Sequence, residues 1–282
     1  MRVVSLVPAA TEIVAAIGGV DLLVGVSAAC DFPPSVSALP RVTRSRVDPT
    51  LASGEIHRRV TAAAHAGEGP IGLDEAVLAA LRPDVVLGQA LCAVCAVGDA
   101  AVGRAAAALR PPPVVVTLHP HTMADVLTDI QRIGAAVDRT DAAAACVRDL
   151  DTRIRELPGR RPGARAPRVL VLEWIDPPYT AGHWVPELVA FAGGAPVGSV
   201  PGERSAAHPW AELAALAPDL VVVALCGFDV PRARLEVAAV ADPTGRTLLD
   251  GRVEFLDGSS YTSRPGPRLV DAAERFAAIL AS

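Results

Sequence analysis

The residues best equipped for chemistry fall in two groups. The first is the stretch Glu173-Trp174-Ile175-Asp176-Pro177-Pro178-Tyr179-Thr180-Ala181-Gly182-His183-Trp184-Val185-Pro186-Glu187, which holds two of the chain's three Trp and one of its six His. The imidazole of His183 can ligate a metal ion, and the indole of Trp184 offers a flat apolar face to a ligand. The competing account makes Trp184 a plug for the core and bonds His183 to backbone. Trp174 is open to both accounts, because alternation along a strand can bury it. Tyr179 belongs to the same stretch, and Phe228 sits in a second short motif, Cys226-Gly227-Phe228-Asp229. Glu173 follows an all-apolar run, so its carboxylate is expected at a ligand or in an ion pair, with Arg264 as a candidate partner. Arg44, Arg46 and Arg264 are able to bind carboxylates or amides of a ligand, although surface ion pairs account more simply for the first two.

The second group is thiol. Cys92 and Cys95 have the C-x2-C spacing that brings two thiolates to one metal, and Cys30 lies on a loop of the same half of the chain. Three sulfurs with one nitrogen, for instance from His183, suit zinc or an iron–sulfur cluster. Cysteines flanked by Ala, Val and Leu are also common as small buried hydrophobes. Cys146 and Cys226 are read as structural. His119 and His121, on either side of Pro120, are either ligand groups or residues that lead into a helix.

Repeated β-loop-α units position these residues. Short apolar runs at Val3–Val7, Leu22–Val26, Val85–Leu87 and Val114–Thr117 read as strands. Helices are expected from Pro8 to Gly18-Gly19, over Asp74–Leu81 and over Asp99–Leu109, and Leu39–Arg46 reads as a Pro- and Arg-rich coil. Such alternation implies a mostly parallel sheet covered on both faces. Between 122 and 160 the pattern turns helical. Thr122 to Asp125 fits a capping box, Asp138–Asp141 marks a break, and a second helix of ~17 residues gives a rod of ~25 Å. Pro158–Pro167 reads as a surface link.

The second half then repeats the first. Val77-Leu-Ala-Ala-Leu-Arg-Pro-Asp-Val-Val-Leu87 recurs as Glu212-Leu-Ala-Ala-Leu-Ala-Pro-Asp-Leu-Val-Val222, and the opening Val3–Gly19 is echoed by Val169–Gly194. The expected plan is an α/β protein of two Rossmann-like lobes, 1–121 and 161–282, joined by linking helices at 122–160, with a ligand cleft between the lobes. Loops at the carboxyl ends of parallel strands are where such sheets bind ligands, so 173–187 forms one wall of that cleft.

Composition narrows the function classes. The chain has 282 residues, 51% hydrophobic content and a net charge of −5, and all 26 basic residues are Arg. Nothing in that balance points to nucleic acid or an anionic membrane. No apolar run approaches the ~20 residues of a membrane span. No GxSxG elbow, Walker loop, HExxH or GxGxxG in a βαβ setting occurs, which leaves the common enzyme classes without a foothold. The N-terminus enters a strand at once instead of showing a secretory signal, so the expected compartment is the cytoplasm, with the five cysteines as thiols or ligands.

Several motifs in order resemble the helical-backbone metal-receptor superfamily, the class III substrate-binding proteins of ABC transporters for cobalamin, haem and siderophores. They are Ser5-Leu-Val-Pro-Ala-Ala-Thr-Glu12, the turns Leu81–Asp84 and Leu216–Asp219, the linking helix, and Arg264-Pro-Gly-Pro-Arg-Leu269. Within it the chain is most similar to a branch labelled cobalamin-binding that often lacks a secretion signal, on Cys30-Asp-Phe-Pro33, Val42-Thr-Arg-Ser-Arg46, Cys92-Ala-Val-Cys-Ala-Val97, 173–187 and 226–229. The resemblance implies a binding protein for a corrinoid or another metal chelate or tetrapyrrole. It also implies an ABC permease as a partner only where the protein is exported, and Glu75 and Glu212, the counterparts of permease-docking carboxylates, read here as helix-surface charges. Relatives tend to carry His-Glu before the first Cys and Thr-Gln-Asp before the CxxC, where this chain has Ala28-Ala29 and Gly88-Gln89-Ala90. A metal- or thiol-dependent biosynthetic enzyme using Cys30, Cys92 and Cys95 with Glu173 or His183 is the alternative reading.

Overall fold

The computed structural model describes residues 1–66, 69–91, 97–159 and 165–282. In chain order the first half contains β1 (Val3–Ser5), α1 (Pro8–Ala16), β2 (Leu23–Val26), β3 (Thr43–Ser45), α2 (Ser53–His65) and β4 (Ile71–Leu73). It continues with α3 (Glu75–Leu81), β5 (Val85–Gln89), α4 (Asp99–Ala108) and β6 (Val114–Leu118), then α5 (Met123–Ala136) and α6 (Thr140–Glu156). The second half contains β7 (Arg168–Ile175), β8 (Pro178–Thr180), α7 (Val185–Phe191), β9 (Ala195–Pro196), β10 (Ala206–Ala207) and α8 (Trp210–Ala215). It ends with β11 (Leu220–Val223), α9 (Val230–Ala238), α10 (Pro243–Leu249), β12 (Val253–Phe255), α11 (Gly258–Tyr261) and α12 (Arg268–Ala281).

Two compact units result. One comprises Met1–Leu51, Arg58–Pro120 and Ala124–Asp149; the other comprises Ala52–His57, His121–Met123 and Leu150–Ser282. In the first unit β2, β1, β5 and β6 form a parallel sheet in that order. Around it Val4, Leu6, Val86, Leu78 and Val102 pack into one apolar cluster. The expected coil at Leu39–Arg46 instead contains β3, which pairs antiparallel with β4. Thr43 and Ser45 flank Arg44 there, and the exposed Arg44 guanidinium bonds Asp74, the residue whose side chain caps α3.

In the second unit the sheet order is β10-β8-β7-β11-β12, with β9 also on β7. β7, β9, β11 and β12 run parallel, β8 runs against them, and β10 pairs antiparallel with β8. The run expected to leave the sheet as a Pro-rich loop therefore turns back as a hairpin strand. Pro178 opens β8, the place where a strand tolerates proline. Leu170, Leu172, Leu213, Val221, Val223 and Leu225 form the core cluster.

The internal repeat has a physical basis that the two units share. In each, the helix before the central strand ends in a left-handed residue that precedes proline: Arg82 at φ 44° and Ala217 at φ 43°. The next residue but one, Asp84 or Asp219, accepts the backbone N–H of Arg2 (2.6 Å) or Arg168 (2.7 Å). Those arginines in turn donate to the last helix carbonyls, Arg2 Nε to Leu81 O at 2.8 Å and Arg168 Nη2 to Leu216 O at 2.6 Å. One Leu-x-Pro-Asp turn thus satisfies the helix C-terminus and fixes the register of the paired parallel strands. The Gly-Gly stops match as well: Gly18 (φ 72°) and Gly193 (φ 91°) take the left-handed position, and Gly19 and Gly194 donate back to Val14 O and Val189 O at 2.8 and 2.9 Å.

Ala217 holds a left-handed conformation that costs an L-residue about 1 kcal/mol and glycine nothing. Ala217→Gly is expected to raise the unfolding free energy of the second unit by about 0.5 kcal/mol in urea denaturation, and a loss would show that the turn is not held as described.

Candidate ligand-binding site

The sheet of the second unit changes winding direction between β7 and β11, because β9 lies on one side of β7 and β11 on the other. Ligands of open α/β sheets collect outside the carboxyl ends at such a point. Glu173 and Trp174 end β7 there, and the chain after β11 stays beside them, with Cys226 N–H donating to Glu173 O at 2.8 Å.

An aromatic face is built on this end. β8 pairs with β7 so that Tyr179 stands opposite Trp174, and directly opposed residues project to the same face. Trp174 is half-buried, donates its indole N–H to Asp176 O at 3.1 Å, and lies against Phe228 with ring centroids 5.3 Å apart. Phe228, at the C-terminal side of β11, is buried and carries the Arg232 guanidinium 5.0 Å above its ring. On the other side of Trp174, Tyr179 meets the ring of His57 from α2 at 5.9 Å. The side chains of Trp174 and Tyr179 keep partial exposure.

Trp184 follows the account that makes it a core plug, and His183 is only partly buried. Trp184 is 4% exposed and donates its indole N–H to Thr262 O at 2.8 Å. It fills the core beneath α7, because a buried indole needs its one donor satisfied and the turn before Ser263 offers a carbonyl. His183 is half-buried in a left-handed conformation (φ 53°), held between Glu203 O, which accepts its N–H at 2.6 Å, and Gly202, which donates to its carbonyl at 2.9 Å. Its Nε2 is buried without a partner among the described residues, and its ring lies 5.7 Å from that of His121. Burial, then the neighbouring His121 and Arg204, hold the His183 imidazole below its ordinary pKa.

Arg264 is 7% exposed, tucked under the loop before α12, with Nη2 donating to Ser259 Oγ at 3.3 Å. That contact ties the segment between α11 and α12 back to α11.

In the first unit Cys30 is 2% exposed, with Sγ 3.1 Å from Thr11 Oγ1, which in turn donates to Ser5 Oγ at 2.8 Å. Cys92 and Cys95 lie outside the described residues. Among the described residues no group of three or more His, Cys, Asp and Glu side chains is placed to hold a metal ion. His119 is exposed, and its backbone N–H bonds the buried Asp129; burial pushes the Asp129 carboxyl up, opposed by Arg132 at 2.6 Å.

Four residues that pattern reading passed over join the site: Ser53, His57, Arg232 and Glu236. The Arg232–Glu236 pair was legible as an i,i+4 pair behind the Asp229 cap and Pro231, and it closes at 2.6 Å. The Ser53–Glu236 contact joins residues 183 apart, which no local signal reports.

The sequence profile of the periplasmic binding protein family matches residues 3–233, and the chain belongs to that family. Its fold is that of the class III, helical-backbone members. Similar solved structures include a periplasmic heme binding protein from Pseudomonas aeruginosa, at 21% identity over 98% of this chain and 91% of that one, with a TM-score of 0.72. The periplasmic heme binding protein HutB of Vibrio cholerae matches at 19% identity, 100% and 99% coverage and a TM-score of 0.71. The periplasmic vitamin B12 binding protein BtuF of Vibrio cholerae matches at 20%, 99% and 96%, with a TM-score of 0.63. No curated protein sequence matches the chain. Among the described residues no helix is long and apolar enough to cross a membrane.

Two outcomes follow for the His183–Trp184 pair. Trp184→Phe leaves the Thr262 carbonyl unpaired in the core and is expected to cost about 1–2 kcal/mol of stability, read by denaturant unfolding. Because the folded state depresses the His183 pKa, its contribution is complete above the unfolded value of 6.5 and is lost as pH falls from there through the folded pKa. His183→Asn, which tolerates the left-handed backbone, is expected to flatten the fall in melting temperature over that acid range; an unchanged slope would contradict it.

Proposed function

We propose that the protein binds a flat, metal-bearing macrocycle, a haem or a corrinoid, against the face made by Trp174 and Tyr179 and backed by Phe228. The observation that carries this reading is the half-buried Trp174 packed at a tilt against Phe228, with Tyr179 beside it, at the winding switch of the sheet. An indole supported from behind by a second ring is already ordered, so a stacking ligand loses little side-chain freedom on binding. The names of the similar structures, which are heme- and vitamin B12-binding proteins, support the ligand class. The metal in this reading is part of the cargo, and the chain's own share is shape, stacking and hydrogen bonding at the ligand's rim.

Titration of the purified protein with haem, cobinamide and cobalamin, followed by absorbance and calorimetry, tests the reading. Saturable binding of at least one is expected, weakened about tenfold or more by Trp174→Ala and unchanged by Trp184→Phe. No response to any of the three would remove the proposal.

A further inference from the structure

Two short segments from the first half of the chain, Ala52–His57 and His121–Met123, belong to the second unit. Each is fastened there in the same way. The Ser53 N–H at the start of α2 donates to Glu236 Oε2 at 3.0 Å, and the Met123 N–H at the start of α5 donates to Glu187 Oε2 at 2.7 Å. A carboxylate on the free N–H groups of a helix N-terminus gains from both the charged hydrogen bond and the helix dipole. Each segment also brings an imidazole: His57 to Tyr179 and His121 to His183.

The first of these tethers closes a ring of contacts around the aromatic face. Tyr179 is the cross-strand neighbour of Trp174, Trp174 packs against Phe228, and Phe228 lies under Arg232. Arg232 Nη2 donates to Glu236 Oε1 at 2.6 Å, and the other Glu236 oxygen holds Ser53. Four residues further along α2, about one helical turn on, His57 returns to Tyr179. Glu236 is 8% exposed, so both of its bonds are sheltered from water, where a charged hydrogen bond is strongest. Ile56 packs on the core cluster of the second unit and fixes the same turn from its other side.

On this basis we infer that Glu236 is a positioning residue for the ligand face, and that His57, held by it beside Tyr179, contacts hydrogen-bond acceptors at the rim of the ligand. The inference rests on the binding proposal above and extends the face from aromatic rings to a frame that also reads polar groups. Donors cluster in this frame: the imidazole of His57, the phenol of Tyr179 and the guanidinium of Arg232. The ligand chemistry they fit is a flat body with acceptor oxygens on its edge. Carboxylates, as in haem, and amides, as in cobinamide, both supply these, and titration with the two probes separates them.

The test uses the full chain with His57→Ala, Ser53→Pro and Glu236→Ala, alone and combined. Proline is accommodated at the first helical position, so Ser53→Pro removes the tethering N–H while leaving the Glu236–Arg232 pair in place. His57→Ala is expected to weaken the better-binding probe about tenfold. Ser53→Pro is expected to weaken it to a similar extent and to speed hydrogen exchange at amides 54–57 without ligand. Adding His57→Ala to Ser53→Pro or to Glu236→Ala is expected to change affinity by less than about twofold, because the imidazole has already been released. A purely structural role for Glu236 predicts instead that the losses multiply. Wild-type affinity in His57→Ala, or multiplying losses in the double variants, would overturn the inference while leaving the binding proposal intact. A wild-type protein that binds neither probe removes both.

Discussion

The candidate site depends on β7 and β11 being paired in parallel and fastened at their amino ends. Asp219 accepts the Arg168 N–H, and the Arg168 side chain closes the helix that precedes β11. With register fixed at that end, Leu220 to Val223 stand against Val169 to Leu172, and these paired stretches are apolar because both faces are covered. Polar and aromatic side chains can then appear only where the pairing runs out. Glu173 and Trp174 on one strand, and Cys226 and Phe228 beyond the other, mark that place.

From there the chain uses few devices to make a binding surface. β8 folds back on β7 and puts a second aromatic ring beside Trp174, and the segment after β11 puts a third behind it. Arg232 and Glu236, one turn apart on α9, join this stack to the start of α2. The surface is therefore supported from its edges by ion pairs and helix-terminal hydrogen bonds, and from below by the apolar cluster around Leu172 and Val223. Trp184, further along the chain, is buried and so belongs to the core and not to the surface.

Much of the fold was legible because its signals are local. Leu-x-Pro-Asp turns, Gly-Gly stops and short apolar runs each fix a few neighbouring residues, and their recurrence in the two halves exposed the repeat. The site was legible in part. The stretch 173–187 reads as one wall of a ligand cleft, but its two tryptophans divide between partial exposure and full burial in a way that alternation could not foretell. Trp184 is buried because Thr262, far along the chain, supplies a carbonyl for its indole. β3 and β8 were hidden among prolines and arginines that read as coil, and each becomes a strand through a partner strand that gives it a ladder. His57 and Glu236 belong to the site through a contact spanning most of the sequence, for which spacing carries no sign.

The most direct measurement is the fluorescence of a protein in which Trp174 is the sole tryptophan, made with Trp184→Phe and Trp210→Phe, during addition of haem or cobinamide. A macrocycle stacked on the face quenches Trp174 by contact and energy transfer. Saturable quenching with a midpoint equal to that of the absorbance titration is the predicted result. Absorbance-detected binding with no saturable change in Trp174 emission would place the ligand elsewhere and contradict the account.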